Sequence, residues 1–490
     1  MNIWVLNPPF LPKFSRPQRS PAVTKSGTIY FPIWLAYCVG VLENEGYAVT
    51  FTDAPASGDD LDRILRQAEN LKPDLIVMDT STPSIENDIH VGDRLKQLLP
   101  ESFIVMVGTH VSALAEETLL RSNSIDAVAR REYEYTVRDL ANFLHKTASD
   151  RNKTDGLESI AGLSFISNGN VVHNPERKFI RDLDELPWAS KIYKKHLRIR
   201  DYFNPNAPYP MVTMTTSRGC PFRCSFCVYP QTFTGRRFRF RSINEVLDEM
   251  EFVLEAFPEV KSIFFEDDTL TANRNRCLEL AQAIIDRGLQ IPWVANSRID
   301  LDLDTLVKLK AAGCRELCVG FESGDQELLD SMGKGIKLDH MFRFMQDAKK
   351  AGIFIHGCFM VGFPGETREG AMQTIDLAIR LKPDTAQFYP IMVYPGTQAY
   401  EEYVEKGWIS AASYREWITP QGLHNCVVRN ETLTSSDLVK LCDFARRKFY
   451  LRPGYIGYKA LQMIKCPSEI IRTLKATKTF YRHLIFGSKV

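Results

Sequence analysis

Three cysteines fall close together in Gly219-Cys220-Pro221-Phe222-Arg223-Cys224-Ser225-Phe226-Cys227, at the spacing Cys-x3-Cys-x2-Cys. A β-prone run, Met211 to Thr216, leads into them, and Gly219, Pro221 and Arg223 mark a loop. Closely spaced thiolates of this kind are the usual protein ligands of iron–sulfur clusters. Three of them cap three irons of a cubane 4Fe-4S cluster and leave the fourth iron open to a small molecule. Zinc is the competing reading. A structural zinc site takes four nitrogen or sulfur ligands in paired clusters, and no second pair follows at such spacing. Three buried core cysteines are the plain alternative, and the loop-forming neighbours speak against it.

A loop of this kind needs a scaffold. From 210 to 405 the sequence repeats a strand–helix unit six times. Strands are expected at Val212 to Thr216, Ser262 to Glu266, Trp293 to Asn296, Leu317 to Phe321, Phe354 to Val361 and Ala386 to Val393. Helices are expected at Ile243 to Ala256, Arg274 to Asp286, Leu303 to Ala312, Leu338 to Ala351, Glu369 to Leu381 and Gln398 to Glu405. Repeated βα units build a parallel barrel or sheet whose functional residues gather at the carboxyl ends of the strands. Those ends read Glu266-Asp267-Asp268-Thr269, Asn296 with Arg298, Phe321-Glu322-Ser323-Gly324, Gly357 to Thr367, and Tyr394-Pro395-Gly396-Thr397. Carboxylates suit an ammonium partner, and glycines allow close backbone approach. Taken singly, each end also reads as turn chemistry or helix caps. Their succession after the cysteine loop is what points to a site.

The cysteine spacing, with aromatic Phe226 before the last Cys, resembles the radical S-adenosylmethionine (radical SAM) superfamily. The resemblance implies a partial (β/α)6 barrel and a 4Fe-4S cluster on Cys220, Cys224 and Cys227. In that family the open iron is chelated by the amino and carboxylate groups of SAM. One electron then splits the sulfonium and yields a 5′-deoxyadenosyl radical that abstracts a substrate hydrogen. By the same resemblance Glu266, Asp267 and Asp268 stand where the family holds the SAM amino group, although its commoner Gly-Gly-Glu is absent. Asn296 and Arg298 would meet the ligand carboxylate, Glu322 and Ser323 the ribose, and Gly362 and Gly365 the adenine. Phe226 would line the same site. An external one-electron reductant of the flavodoxin or ferredoxin type is implied as partner.

Residues 1–150 alternate strands (Ile3 to Leu6, Val49 to Thr52, Leu75 to Met78, Phe103 to Val107, Ala127 to Ala129) with helices, including Ile33 to Glu45 and Leu61 to Leu71. That alternation predicts a flavodoxin-like, Rossmann-type parallel sheet, which binds ligands beyond the strands' carboxyl ends. The ends carry Asn7-Pro8, Asp53, Thr80-Ser81-Thr82 and Gly108-Thr109-His110. The region resembles the cobalamin-binding domain that precedes the radical domain in one radical SAM class. The resemblance makes these residues, His110 among them, the expected cobalamin site. In Asp53-Ala54-Pro55-Ala56-Ser57-Gly58, Pro55 holds the position of the histidine that ligates cobalt in many cobalamin folds. Imidazole ligation from that loop is therefore excluded, and His110 is the substitute to examine. A receiver-like domain that binds nothing is the alternative.

Residues 151–209 read as a linker containing a hairpin at Ser167-Asn168-Gly169-Asn170, because Asn-Gly is a strong hairpin signal. Residues 406–490 read as a basic helical tail, with helices at Ser435 to Tyr450, Tyr455 to Ile464 and Glu469 to Phe486. From Lys440 onward it carries twelve Lys and Arg against Asp443 and Glu469. Basic amphipathic helices with aromatic residues suit an anionic membrane surface, and no nucleic acid partner is expected. Across 490 residues the formal net charge is only +1. No apolar run reaches the ~18 residues of a membrane span, and Phe31 to Leu42 reads as a buried helix. Eleven cysteines without regular pairing, and no signal peptide at Met1-Asn2-Ile3, set the expectation of a cytoplasmic protein, with peripheral contact at the inner membrane surface through the tail. Cys38, Cys277, Cys358 and Cys442 read as small core residues, and Cys314 and Cys318 as pointing different ways along one strand.

Nearly the whole chain takes part in the resemblance. It is nearest to the hopanoid-associated branch, on Cys227-Val228-Tyr229-Pro230-Gln231-Thr232, the basic run Arg237 to Arg241, the turn Gly362 to Thr367 and the tail. Branches that cyclise porphyrins or methylate unactivated carbons are related. The resemblance implies an enzyme that remodels a lipid-linked or other hydrophobic substrate by C–C bond formation, rearrangement or cyclisation. A cobalamin-dependent methyltransferase is the alternative. A non-catalytic cobalamin- or redox-sensing module is the reading from another class.

Overall fold

The computed structural model describes residues 1–147 and 156–465. Seven strands form the first sheet: β1 (Asn2–Asn7), β2 (Ala48–Asp53), β3 (Leu75–Asp79), β4 (Phe103–Val107), β5 (Ala127–Ala129), β6 (Leu163–Ser167) and β7 (Asn170–His173). Their order is β2-β1-β3-β4-β5-β6-β7, with β1 to β5 parallel. Helices cover both faces, so the strands are continuous apolar runs. The order 2-1-3-4-5 puts the topological switch point between β1 and β3. The hairpin β6–β7 forms where expected, turning at Asn168 (φ +51) and Gly169 (φ +78). It does not stand in a linker. β6 pairs antiparallel with β5 and prolongs the first sheet, covering the edge that the three-residue β5 leaves open.

The second sheet has six parallel strands in sequence order: β8 (Met211–Met214), then β11 (Ser262–Phe265), β12 (Trp293–Ser297), β13 (Cys314–Glu322), β14 (Phe354–Val361) and β15 (Thr385–Pro390). Between its first two strands lies a short ribbon, β9 (Ser217–Arg218) against β10 (Arg239–Phe240). β8 and β15 do not pair, so the barrel is partial.

The helix Ile33–Asn44 has ten consecutive buried residues, Ile33 to Leu42. A helix apolar all round must be covered all round, and this one is wedged between the two sheets. Trp34 meets Tyr229 and Phe233 on the barrel side. Tyr37 Oη lies 2.6 Å from Thr215 Oγ1. A Cβ on Gly40 would run into Pro187 of the connector.

In the tail, the helix Ser435–Tyr450 starts at a capping box of Thr434 and Asp437. It does not present a free basic face. Tyr450 Oη accepts from Ala386 N at 2.9 Å and donates to Ala386 O at 2.7 Å. Arg446 donates to Phe388 O at 2.8 Å, and Lys448 pairs with Asp376 at 2.7 Å. The helix covers the open edge of β15, which an exposed edge strand requires. The helix Pro453–Lys465 follows, and the expected helix Glu469 to Phe486 lies outside the described residues. No described helix is long and apolar enough to cross a membrane.

The two sheets are joined by buried charge. Arg218, in β9, pairs with Glu134 at 2.8 Å and Glu132 at 3.6 Å, and Arg239 pairs with Glu132 at 2.7 Å. All four side chains are almost fully buried. Removing one partner of a buried pair strands the other charge and costs about 3–5 kcal/mol. Arg218→Met, which keeps the volume, is expected to lose stability of that order in denaturant unfolding. The double variant Arg218→Met/Glu134→Gln should recover part of the loss.

Candidate functional site

The backbone leading into the cysteine loop is clamped by two carboxylates from the end of β11. Thr216 N and Ser217 N donate to Asp267 Oδ1 at 2.6 and 3.0 Å, and Thr216 Oγ1 donates to Oδ2 at 2.7 Å. Gly219 N and Thr234 Oγ1 donate to Asp268 Oδ2 at 3.0 and 2.7 Å. Gly219 has φ +84, and a Cβ there would strike the carbonyl of Arg237. Only glycine takes that conformation without strain.

Further on, Cys220 N donates to Gly235 O at 3.2 Å, Arg236 to Phe222 O at 2.6 Å, and Ser225 N to Met332 O at 2.9 Å. Cys227 is the N-cap of the helix Val228–Thr232. All three thiols are free, and all ten cysteines among the described residues are unpaired. Burial raises the thiol pKa of Cys220 and Cys227, and the neighbouring Cys224 adds to the rise at Cys227. Iron displaces those protons when it binds thiolate. Among the described residues no three His, Cys, Asp or Glu side chains are already gathered as a metal site, so the cluster expectation rests on the three free thiols and their spacing on a backbone held at both ends.

Glu266 is the one member of the acidic triplet with capacity to spare. Its Oε1 takes the Arg19 guanidinium at 3.0 Å, and its Oε2 is buried without a partner. Burial lifts its carboxyl to about 7, against the pull of Arg19 and of the nearby Asn296 amide, while Asp268 adds to the rise. An orphaned buried acceptor at this strand end fits an ammonium donor. Arg19 comes from the irregular stretch between β1 and the helix Ile33–Asn44, where no periodicity marks a role. It also donates to Asp267 O at 3.0 Å and lies over Tyr229.

Several of the expected SAM contacts have protein partners in this structure. Asp267 spends both side-chain oxygens on Thr216 and Ser217, and Asp268 holds Gly219 and Thr234 through Oδ2 while its Oδ1 faces Arg19 at 3.5 Å. Arg298 pairs with Asp300, donates to Lys334 O at 2.8 Å and stacks 3.6 Å from the Phe222 ring centroid. It buttresses the loop. Asn296 Nδ2 donates to Asp267 O at 3.1 Å. Ser323 Oγ accepts from Asp325 N at 3.1 Å and faces Thr374, so it shapes a turn. Gly362 donates its amide to Glu366, and a Cβ there would meet Leu438 of the tail helix. Its glycine is a packing requirement. Gly365 is exposed and donates to Glu431 at 3.1 Å, away from any enclosed site. Phe226 meets Phe363 with ring centroids 5.8 Å apart.

Glu322 stays a candidate. It sits at φ +65, pairs with buried Lys334 at 2.7 Å, and leaves Oε2 buried without a partner. A non-glycine residue in that region is held there by its surroundings, here by the ion pair with Lys334. Cys358 is not a core residue. It is half-buried, as is Cys318, and the register of β13 with β14 puts Cys358 opposite Gly320 and His356 opposite Cys318. The pattern on β14 alternates half-buried Phe354, His356 and Cys358 with buried residues, so these three face one side of the sheet. Cys314 is buried and Cys318 half-buried; residues four apart share a face in a regular strand, and the register irregularity of β13 against β12 at Trp293/Val294 falls between them.

At the first sheet, Asn7 donates to Asp53 at 2.8 Å and accepts from Arg16 at 2.8 Å. Arg16 also takes Pro8 O at 2.6 Å, and buried Asp88 at 2.5 Å. Tyr202 donates to Asp53 at 2.8 Å, and burial lifts the Asp53 carboxyl to about 6. Thr80 Oγ1 donates to Val107 O, and Ser81 bonds Ser84. His110 is buried, bonded to Thr82 at 3.1 Å and edge-on to Tyr414. Burial drops its pKa to about 3. In this structure it packs as a buried neutral imidazole held through Nδ1. Gly108 has φ +118, and a Cβ there would strike Thr80 O, so its glycine serves the loop's own packing. The strand ends form a ledge of backbone and small side chains, buried in this structure with Tyr414–Trp417 packed against Thr82–Ser84, so the cobalamin expectation for them rests on residue type and position.

Comparisons with known proteins agree with this arrangement. The Radical SAM superfamily profile matches residues 214–378, and the B12 binding domain profile matches residues 19–141. An uncharacterized methyltransferase, PH0819, of Pyrococcus horikoshii is 33% identical over 87% of this chain and 89% of its own length. The anaerobic magnesium-protoporphyrin IX monomethyl ester cyclase of Rubrivivax gelatinosus is 27% identical over 87% of this chain and 75% of its own. The structure of the radical S-adenosylmethionine methyltransferase TsrM from Kitasatospora setae, with cobalamin and a 4Fe-4S cluster bound, superposes with a TM-score of 0.69 at 17% identity. It covers 91% of this chain and 90% of that one, which shows a shared fold.

Asp267→Ala would leave three buried donors at Thr216 and Ser217 unpaired. Each hydrogen bond to a charged group is worth about 1.5–3 kcal/mol, so a loss of about 3 kcal/mol or more is expected in denaturant unfolding. Iron uptake on reconstitution should fall with it.

Proposed function

Because the chain belongs to the radical SAM superfamily, among the members with a B12-binding domain, we propose that it is a cobalamin-dependent methyltransferase acting on an unactivated carbon of a hydrophobic or lipid-linked substrate. One observation carries the reading. The helix Val228–Thr232, capped by Cys227 itself, packs on the helix Thr109–Ala113 at the end of β4. One short helix therefore separates the third cysteine from the B12-side strand ends. A methyl carrier and a radical source within one helix of each other suit methyl transfer to a carbon radical. The motif pattern alone favours remodelling of a lipid head group; similarity along the chain to a methyltransferase moves the reading. Ring or C–C bond formation is the second reading, favoured by the similarity to a cyclase.

Cys220, Cys224 and Cys227 would hold the cluster, and the ledge at Thr80 to Thr82 and Gly108 would hold cobalamin. When bound, the cluster supplies the electron that splits the SAM sulfonium, and cobalamin carries the methyl group. The chain's own part is placement. Glu266 Oε2 receives the SAM ammonium, and Glu322 Oε2, held by Lys334, accepts a hydroxyl. Arg19 and Tyr30, from the stretch ahead of the helix Ile33–Asn44, line the barrel mouth and shield it from water. Half-buried Cys318, Cys358 and Tyr389 give the interior a neutral lining that suits a hydrophobic substrate.

The test needs no substrate. Anaerobically reconstituted protein, with SAM, hydroxocobalamin and dithionite, is expected to form both S-adenosylhomocysteine and 5′-deoxyadenosine. 5′-Deoxyadenosine alone would favour the second reading, and neither product would favour a sensing module. Cys224→Ala should lose cluster absorbance and 5′-deoxyadenosine while keeping cobalamin binding. The pH dependence of SAM binding follows from Glu266. Below about 7 its carboxyl is protonated and a poor ammonium partner. Affinity, measured by calorimetry on the reconstituted protein, should rise with pH through that value and level off above it. Glu266→Gln should flatten the rise and weaken binding about tenfold, the worth of one charge-assisted hydrogen bond.

A further inference from the structure

We propose that the exposed face over the cysteine loop is the docking surface for an acidic one-electron carrier of the flavodoxin or ferredoxin class. The inference rests on the radical reading above, which needs an electron from outside. Pro221 and Arg223 of the loop are exposed, whereas Cys224 is buried and Cys220 and Cys227 are half-buried. This is therefore a face at which the cluster ligands come near solvent.

Two further segments lie against it. Residues 235–237 run along the loop through the bonds Cys220 N to Gly235 O at 3.2 Å and Arg236 to Phe222 O at 2.6 Å. A Cβ on Gly235 would meet the ring of Phe179, which brings in residues 178–181. Together they present Lys178, Arg181, Arg223, Arg236 and Arg237. Arg236 is half-buried and the other four are exposed. Among the described residues no carboxylate pairs with any of the five. Asp300 pairs with Arg298, Asp330 with Lys337 and Glu176 with Arg131. Asp182 accepts from Asp184 N and Asp184 from Ser242 N, while Glu185 is exposed, so these three acids offset part of the charge beside Arg181 and the surplus is strongest at Lys178, Arg223, Arg236 and Arg237.

Surplus unpaired charge on an exposed face does little for stability. It does steer an oppositely charged partner, at a rate that salt reduces. Weak redox encounters use small interfaces of this sort. The electron passes from the reduced carrier to the oxidised cluster, and no bond forms between the two proteins.

Two charge reversals away from the cysteine loop test the surface, Arg181→Glu and Lys178→Glu/Arg181→Glu. 5′-Deoxyadenosine formation is measured with dithionite and with reduced flavodoxin. Both variants are expected to match the unaltered protein with dithionite. With flavodoxin each should fall at least fivefold and lose most of its salt dependence. Full flavodoxin-driven activity in Lys178→Glu/Arg181→Glu would overturn the proposal, as would equal losses in that variant with both reductants. If the unaltered protein does not cleave SAM even with dithionite, the radical reading fails instead. Flavodoxin binding by calorimetry at low and high salt then decides the surface on its own: binding that the reversals abolish upholds it, and binding unaffected by them overturns it.

Discussion

Everything in this molecule depends on keeping a short cysteine loop in one shape, and buried carboxylates do that. Asp267 and Asp268 come from the barrel, and Glu132 and Glu134 from the exit of β5 in the first sheet. Between them they hold the backbone at Thr216, Ser217 and Gly219 and the guanidiniums of Arg218 and Arg239. Buried amides must be paired, and a loop rich in glycine and proline cannot pair its own. Charged acceptors supply the deficit with stronger bonds than neutral ones. Because the acids belong to both sheets, the loop takes its shape only when the two halves are docked. The all-round burial of the helix Ile33–Asn44 is the apolar counterpart of the same constraint.

That constraint also explains what sequence reasoning reaches and what it misses. The strands and helices of both sheets are legible, because apolar runs of fixed period leave few other ways to be buried. The cysteine loop is legible because three thiols at that spacing have few uses. The roles of Asp267 and Asp268 are not. An acid at a strand end looks the same whether it faces a ligand or turns back to its own loop. Gly362 misleads in the same way, since its missing Cβ makes room for Leu438, far along the chain. Cys358 sits among apolar neighbours, and only the register with Gly320 shows which face it takes. Arg19 belongs to a stretch without periodicity, and its partners lie about 250 residues away.

That stretch, residues 8–32, decides how the two halves can move. Arg16 and Arg19 are three residues apart and answer to different sheets. Arg16 is committed to Asn7, Pro8 and Asp88 beside the switch point of the first sheet. Arg19 is committed to Glu266 and Asp268 at the end of β11. Three residues of chain reach roughly 10 Å at most. One sheet therefore cannot slide from the other by more than a few ångströms without breaking either the buried Arg16–Asp88 pair or the partly exposed Arg19–Glu266 pair. A reaction shared between two bound groups is slowed severely by ångström-scale misplacement. Two arginines on one short strap meet that demand more tightly than a flexible linker would. The same strap sends Tyr30 toward Phe264, with ring centroids 6.3 Å apart. The element that sets the spacing of the two halves is thus also the one that narrows the barrel mouth.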